Sequence, residues 1–309
     1  MLAENFITVG TQVIILFILI AVGYICGKIG FMSKSTAKNI TDIVLYFVTP
    51  CVIINAYQVE FDPTILKNLG ITFLCAIGVH IISILIVTVA FRKKDIDKRS
   101  VLRFGTVFSN CGFMSIPLQQ AIIGQEGVLY GAAFLGVFNI FLWSYGVICM
   151  SGSKENFSKK TLLYNPGILG VIVALILFLA SIKLPIVIGK PVEYLANLNT
   201  PLPMIIIGYY LSNSKISKGI KDKNAWTATL LRLLVIPIIC IGGMYLLGVR
   251  GNILITVAIA VSAPIAATTT MFATKFQKDT DLSVNLVSLS TIISIITMST
   301  IVAITQMIA

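Results

Sequence analysis

The sequence predicts an all-α polytopic membrane protein whose ten transmembrane helices form two inverted five-helix repeats. Three observations predict this fold: the composition, the distribution of basic residues between loops, and a repeated order of features. Of the 309 residues, 57% are hydrophobic and 11% are charged, with a mean hydropathy of +0.97. An average soluble domain is about 45–50% apolar and about 25% charged. The composition therefore argues against a soluble globular enzyme, a disordered chain and a nucleic-acid-binding domain, and indicates the bilayer as solvent.

Ten segments are apolar over about 20 residues, the length that crosses the hydrocarbon core of a bilayer. The connections between them are short, so no separate soluble domain is expected. The predicted spans are 6–27, 38–58, 69–91, 101–122, 127–150, 162–182, 192–212, 226–247, 252–274 and 283–306.

Lysine and arginine are concentrated in alternate connections. Those that follow spans one, three, five, seven and nine hold 18 basic residues, whereas the other connections hold 4. Basic residues accumulate in cytoplasmic loops. We therefore expect a multi-pass protein of the cytoplasmic membrane of a prokaryote, with both termini outside, and we assign the net charge of +11 to lipid contact rather than to nucleic acid.

The second half of the chain repeats the order of features of the first. We divide the whole chain into a first repeat at 1–150, a short cytoplasmic linker at 151–161 and a second repeat at 162–309. Each half holds five spans, an odd number, so the second half is inverted, a plan that is typical of secondary transporters. The matching pairs are Leu69 with Trp226, Thr49-Pro50 with Thr200-Pro201, and Pro117 with Pro264.

Spans four and nine each carry a proline in mid-span among small and polar residues, Pro117 and Pro264. Proline lacks an N–H and clashes with the preceding turn, so it interrupts a helix, yet it suits the first position of a new one. Each span is therefore predicted to be two half-helices that cross near mid-membrane. The free N–H groups at a half-helix start carry partial positive charge and favour an anion. For either span alone, a simple proline kink is the alternative.

Two motifs in these spans resemble those of the auxin efflux carrier family, which includes plant auxin carriers and bacterial malate and malonate permeases. They read SNCGFMSIP at 109–117 and APIAATTT at 263–270. The similarity extends over essentially the whole chain. It implies inverted repeats with spans four and nine broken and crossed at the substrate site, and an elevator-like movement of a transport part against a scaffold. The short central loop favours a prokaryotic permease.

The resemblance implies a substrate site with two walls. Asn110 would offer amide donors to a carboxylate, and Gly112 would allow close approach of the backbone. Cys111 departs from the Thr, Ser or Ala expected there, which changes the local hydrogen bonding. The implied substrate-binding residues are Asn110, Cys111, Gly112, Ser115 and Pro117 in span four, and Ser262, Pro264, Thr268 and Thr269 in span nine.

Three ionisable residues are candidates for coupling or gating. His80, the only histidine, lies near the middle of span three, where it would relay a proton or simply bond a neighbouring helix. Asp42 and Arg232 are placed near cytoplasmic ends of spans two and eight. There Arg232 would extend to the interface as an anchor or, facing inward, would gate the cytoplasmic mouth with Asp42.

No enzyme motif, metal-ligand pattern or cofactor motif is present in the sequence. We expect a transporter of a small organic anion, with no cofactor, no metal and no nucleic-acid partner. The coupling ion is left open between none, proton and sodium, and a homodimer is one option. The alternatives are a sodium-coupled symporter resembling the bile-acid symporters and a ligand-binding membrane sensor that does not transport.

Overall fold

The computed structural model describes residues 2–92, 95–158, 160, 164–213 and 221–309. This part of the chain is helical and holds no named strand. Five positively charged loop residues used above, Lys93, Lys94, Lys159, Lys215 and Lys218, lie outside it, as do linker residue 161 and positions 162–163 of the second repeat. The helices are α1 Leu2–Lys28, α2 Lys34–Ala56, α3 Pro63–Ala90, α4 Ile96–Val107, α5 at 111–123, α6 Gln125–Ser151, α7 Pro166–Leu179, α8 Ile186–Asn197, α9 Pro201–Ser212, α10 Lys223–Leu246, α11 Gly251–Ser262, α12 Thr268–Lys275 and α13 Thr280–Ile308.

Six of the described helices are long and apolar enough to cross a membrane: α1, α2, α3, α6, α10 and α13. They correspond to predicted spans one, two, three, five, eight and ten. An all-α polytopic protein is thereby confirmed. The remaining predicted spans consist of shorter helices, and the ten-span inverted repeat stays a prediction.

The prediction that span seven is one continuous helix at 192–212 is wrong. The chain forms α8 and α9, which are separated at 198–200, and α8 already begins at Ile186. Pro201 is the first residue of α9, a position where its missing N–H and fixed φ suit a helix start. Thr200-Pro201 therefore marks a third interruption.

Three of the four described π-helical turns precede a proline, whereas Leu142–Gly146 does not. The turns Val44–Val48, Cys111–Ser115 and Leu231–Val235 are each followed, two residues later, by a proline: Pro50, Pro117 and Pro237. A proline inside a helix removes one N–H and crowds the carbonyl four residues earlier. The wider π turn accommodates this locally, and such turns occur often at functional sites.

Helix starts follow the expected capping chemistry. Asn165 precedes Pro166 and accepts a hydrogen bond from the Ile168 N–H at 3.1 Å, as expected from an Asn-Pro helix start. Asp62 accepts from the Thr64 N–H at 2.6 Å before α3, and this bond lowers the pKa of its exposed carboxyl.

Helices α1 and α9 pack closely through glycines. A Cβ added at Gly23 would overlap the Ile205 carbonyl, and one added at Gly208 would overlap the backbone of Ile20 and Tyr24. Small residues allow membrane helices to approach this closely. The backbones of α1 and α9 are therefore in direct contact.

Candidate substrate site at two paired helix interruptions

The site is built around two interruptions that pair with each other. Helix α4 ends at Val107 and α5 starts at 111, while α11 ends at Ser262 and α12 starts at Thr268. The Asn110 N–H donates to the Pro264 carbonyl at 2.7 Å, and the Ala266 N–H donates to the Phe108 carbonyl at 3.0 Å. Ser109 and Ile265 thus form an antiparallel bridge. The non-helical backbone is satisfied by protein, as burial requires.

Side chains extend this contact along both helices. Ser115 Oγ donates to the Ile259 carbonyl at 3.2 Å, and Gln119 Nε2 donates to the Thr256 carbonyl at 3.0 Å, so α5 is fastened to α11. The Ile265 N–H donates to Ser290 Oγ of α13 at 3.1 Å. The two interruptions and their helices therefore form one connected polar core.

Arg232 lies in this core, in the π turn of α10. Its Nη1 donates to the Thr106 and Val107 carbonyls at 3.1 and 2.9 Å, and its Nη2 donates to the Val261 carbonyl. The residue is 1% exposed. The expectation that it extends to the cytoplasmic interface is therefore wrong. Its acceptors are the last carbonyls of α4 and α11, which have no helical partner of their own.

The span-four and span-nine candidates do come together at the interruptions, but several are already engaged. Ser115 is bonded to α11 as described, and Ser262 Oγ donates to the Ala258 carbonyl at 2.7 Å. Cys111 is buried, and the Gly112 carbonyl accepts from Asn199 Nδ2 at 3.3 Å. Their roles as substrate ligands stay predictions.

Thr268 and Thr269 differ from these serines. Both hydroxyl oxygens are buried and have no hydrogen-bond partner within the described residues. Thr269 lies over Gly105 of α4, because a Cβ added there would meet its Cγ2. These hydroxyls have unused hydrogen-bonding capacity close to the crossing, the place where the 108–110 and 263–267 interruptions pair.

His80 is enclosed by aromatic rings. Its ring stacks on Phe141 with centroids 4.9 Å apart, and it also faces Phe134 and Phe108, the latter within the interruption. Its Nδ1 lies 2.7 Å from the Ala76 carbonyl one turn earlier. These contacts fit a structural histidine, and a proton relay stays a prediction.

Asp42 lies away from this core. It is half-buried on the first part of α2, which packs against α9. No described ion pair joins it to Arg232. The gate formed by these two residues therefore has no support in the described contacts.

A cavity of about 390 Å³ lies between α2, α5, α6, α8 and the break at 198–200. Of the predicted substrate-binding residues only Pro117 lines it. Sequence reasoning missed its main polar residues. Those residues are Asn55, Gln120, Asn197, Asn199 and Thr200.

A second, much smaller cavity of about 10 Å³ lies between α9, α12 and α13, with Tyr210, Thr270 and Ser288 in its wall. The two cavities belong to opposite ends of the bundle. Asn252 at the start of α11 bonds Glu126 at the start of α6 at 2.7 Å, on the side of the large cavity. Lys278 after α12 bonds Asp97 of α4 at 2.6 Å, on the side of the small one. The large cavity thus lies toward the end where α6 and α11 begin, and the small one lies toward the end where α12 ends.

A family model described as "Membrane transport protein" matches residues 8–302. The chain belongs to this family. It is the auxin efflux carrier family that the two motifs indicated, so that resemblance is confirmed. Among its relatives, an uncharacterized transporter of Methanocaldococcus jannaschii is 26% identical over 298 residues, covering 92% of this chain and 94% of the relative. An uncharacterized transporter of Methanothermobacter thermautotrophicus is 26% identical over 297 residues, covering 93% and 95%. The family and these names point to a transporter rather than an enzyme.

Proposed function

We propose that this member of the membrane transport family is a secondary carrier that moves a small organic anion across the cytoplasmic membrane. The observation that carries the proposal is the pairing of the α4–α5 and α11–α12 interruptions, together with a polar cavity that α5 lines. Interrupted helices that meet at a cavity are how secondary transporters build substrate sites without exposing backbone to lipid.

The helix contacts support two inverted repeats. Helix α1 packs on α9 as α7 packs on α2, and α1 packs on α13 as α7 packs on α6. Likewise α3 packs on α6 as α10 packs on α13. Each second contact is the one that inverted repeats 1–150 and 162–309 would generate from the first. In this arrangement α4–α5 and α11–α12 are the fourth and ninth spans, each broken and crossed over the other.

The chemistry of the cavity supports a carboxylate substrate held without a lysine or arginine. Its donors are carboxamides and a threonine hydroxyl, those of Asn55, Gln120, Asn197, Asn199 and Thr200. The one carboxylate in the wall, Glu193, is paired with Lys190 at 2.8 Å. A volume of about 390 Å³ falls in the range of small-molecule sites, about 300–1,000 Å³.

The difference between the two cavities supports alternating access. Opening the small cavity and closing the large one would expose the same core to the other side. We propose that α1, α2 and α7–α9 form the scaffold, held by the glycine contacts of α1 and α9, and that the remaining helices move as the transport part. With the basic loops in the cytoplasm and both termini outside, the large cavity opens outward.

Uptake by the purified protein in liposomes tests this proposal. We expect saturable uptake of at least one labelled acid among malate, malonate and an indole acid, above that of protein-free liposomes. Sodium and pH gradients are varied independently, so that sodium-driven uptake would instead indicate a symporter of the bile-acid type. Measurable ligand binding without flux would contradict the carrier and indicate a membrane sensor.

A further inference from the structure

We propose that the Arg232 guanidinium is a permanent cation at the crossing, standing where a sodium ion would otherwise bind, and that the carrier therefore works without sodium. The consequence for transport rests on the proposed function, whereas the site itself rests on the contacts of Arg232 alone.

The acceptors of Arg232 are what a cation site in a transporter is made of. Half-helix C-terminal ends and unwound backbone carbonyls coordinate sodium in broken-helix carriers. Here the Thr106, Val107 and Val261 carbonyls converge from two such ends, and the guanidinium N–H groups take them. A planar group with five donors is able to bond two helices at once, which a single ammonium does less well.

The charges also balance at this point. A helix C-terminus carries about −0.5 elementary charge, so the ends of α4 and α11 together carry about −1. One guanidinium offsets this charge. Among the described residues no acidic side chain forms an ion pair with Arg232, so the helix ends are its counter-charge.

Only one repeat supplies the cation. With the 157-residue offset between Leu69 and Trp226, the position equivalent to Arg232 in the first repeat is Cys75. Arg232 is therefore not a requirement of the repeated helix packing as such. Being 1% exposed, it is closed to water, so its hydrogen bonds hold α10 to both interruptions without competition from solvent.

The first arm of the test uses the wild-type protein. Its melting temperature is measured in detergent in sodium chloride and in choline chloride at equal ionic strength, and its uptake is measured in liposomes in both salts. We expect both quantities to be the same in the two salts. A saturable, sodium-specific rise in melting temperature, or uptake that requires sodium, would overturn the proposal.

The second arm uses Arg232→Ala, which leaves the three carbonyls without a partner. We expect uptake to fall by about tenfold or more, since removing one partner of a buried charged contact has effects of this size. The melting temperature should fall, and sodium or methylguanidinium should raise it again in a saturable way, whereas choline should not. A merely structural arginine would be rescued by methylguanidinium at most and not by sodium, so the rescue by sodium is the outcome that decides.

Arg250→Ala is the matched control, because Arg250 also donates to carbonyls near a helix end, those of Tyr245 and Val249, but is exposed. For Arg250→Ala we expect little change in uptake or melting temperature, and no rise in melting temperature with sodium or methylguanidinium. Wild-type behaviour of Arg232→Ala, or rescue no greater than in Arg250→Ala, would overturn the proposal. If Arg232→Ala does not fold, the wild-type arm still decides. Absence of any flux would contradict the proposed function and leave the stability readout intact.

Discussion

Replacing Gly208 by alanine is expected to lower the melting temperature by about 5 °C or more, from a loss of about 3 kcal/mol. The reason is the contact of α9 with α1, where an added Cβ would overlap the backbone of Ile20 and Tyr24. Backbone atoms of two packed helices cannot yield as a flexible side chain does, so the helices would have to separate. The melting temperature of the detergent-solubilised protein is measured by heating samples and recording the loss of the monodisperse peak in size-exclusion chromatography.

Gly242→Ala is the control for this experiment. Gly242 lies on the exposed face of α10, with nothing within 4 Å of an added Cβ. Alanine favours a helix over glycine by about 1 kcal/mol, so this change should leave the melting temperature unchanged or raise it. Equal effects of the two substitutions would contradict the account of the α1–α9 contact and weaken the assignment of a rigid scaffold.

Replacing Gln120 by tryptophan is expected to reduce substrate affinity by about tenfold or more, equivalent to at least about 1.4 kcal/mol. Gln120 lines the large cavity, where an indole would occupy the volume and remove an amide donor. Its neighbour Gln119 is buried and bonded to α11, so the two adjacent glutamines have different tasks. Concentration-dependent uptake in liposomes gives the affinity and the maximal rate.

Leu246→Trp places the same side chain at a position that is 86% exposed on the outside of the bundle. This variant should transport as the wild type does. The melting temperature of Gln120→Trp should also stay close to that of the wild type, because the new ring enters a cavity rather than packed core. Wild-type affinity in Gln120→Trp would exclude the large cavity as the substrate site.

The interruptions show how far sequence reasoning reaches. Pro117 and Pro264 lie in stretches of small and polar residues, but only Pro264 lies in a break, directly after α11 ends, whereas Pro117 lies within α5, ten residues after α4 ends at Val107. The same dipeptide, Thr-Pro, had two different outcomes elsewhere. Pro50 follows a π turn inside the continuous α2, whereas Pro201 starts a new helix after 198–200. The second outcome accompanies the bond from Asn199 to the Gly112 carbonyl, a tertiary contact that no local pattern contains.

Arg232 shows the same limit for the site. A basic residue near a span end is ordinarily an interfacial anchor. Its true partners, the carbonyls at 106, 107 and 261, become neighbours only when three helices pack. The cavity residues Asn55 and Asn199 were missed for a related reason, since isolated asparagines in predicted apolar spans carry no motif. Motifs located the crossing, and packing alone defined the space beside it.

Thiol accessibility in liposomes tests the central claim, alternating access to the crossing, most directly. In a protein without native cysteines, Asn55→Cys reports on the large cavity and Ser288→Cys on the small one. A membrane-impermeant thiol reagent should label Asn55→Cys from the outer face in the absence of substrate, and Ser288→Cys little from either face. A transported acid should decrease the labelling of Asn55→Cys from the outer face and increase the labelling of Ser288→Cys from the inner face. Labelling that is unchanged at both positions, during uptake of the same acid, would contradict the account.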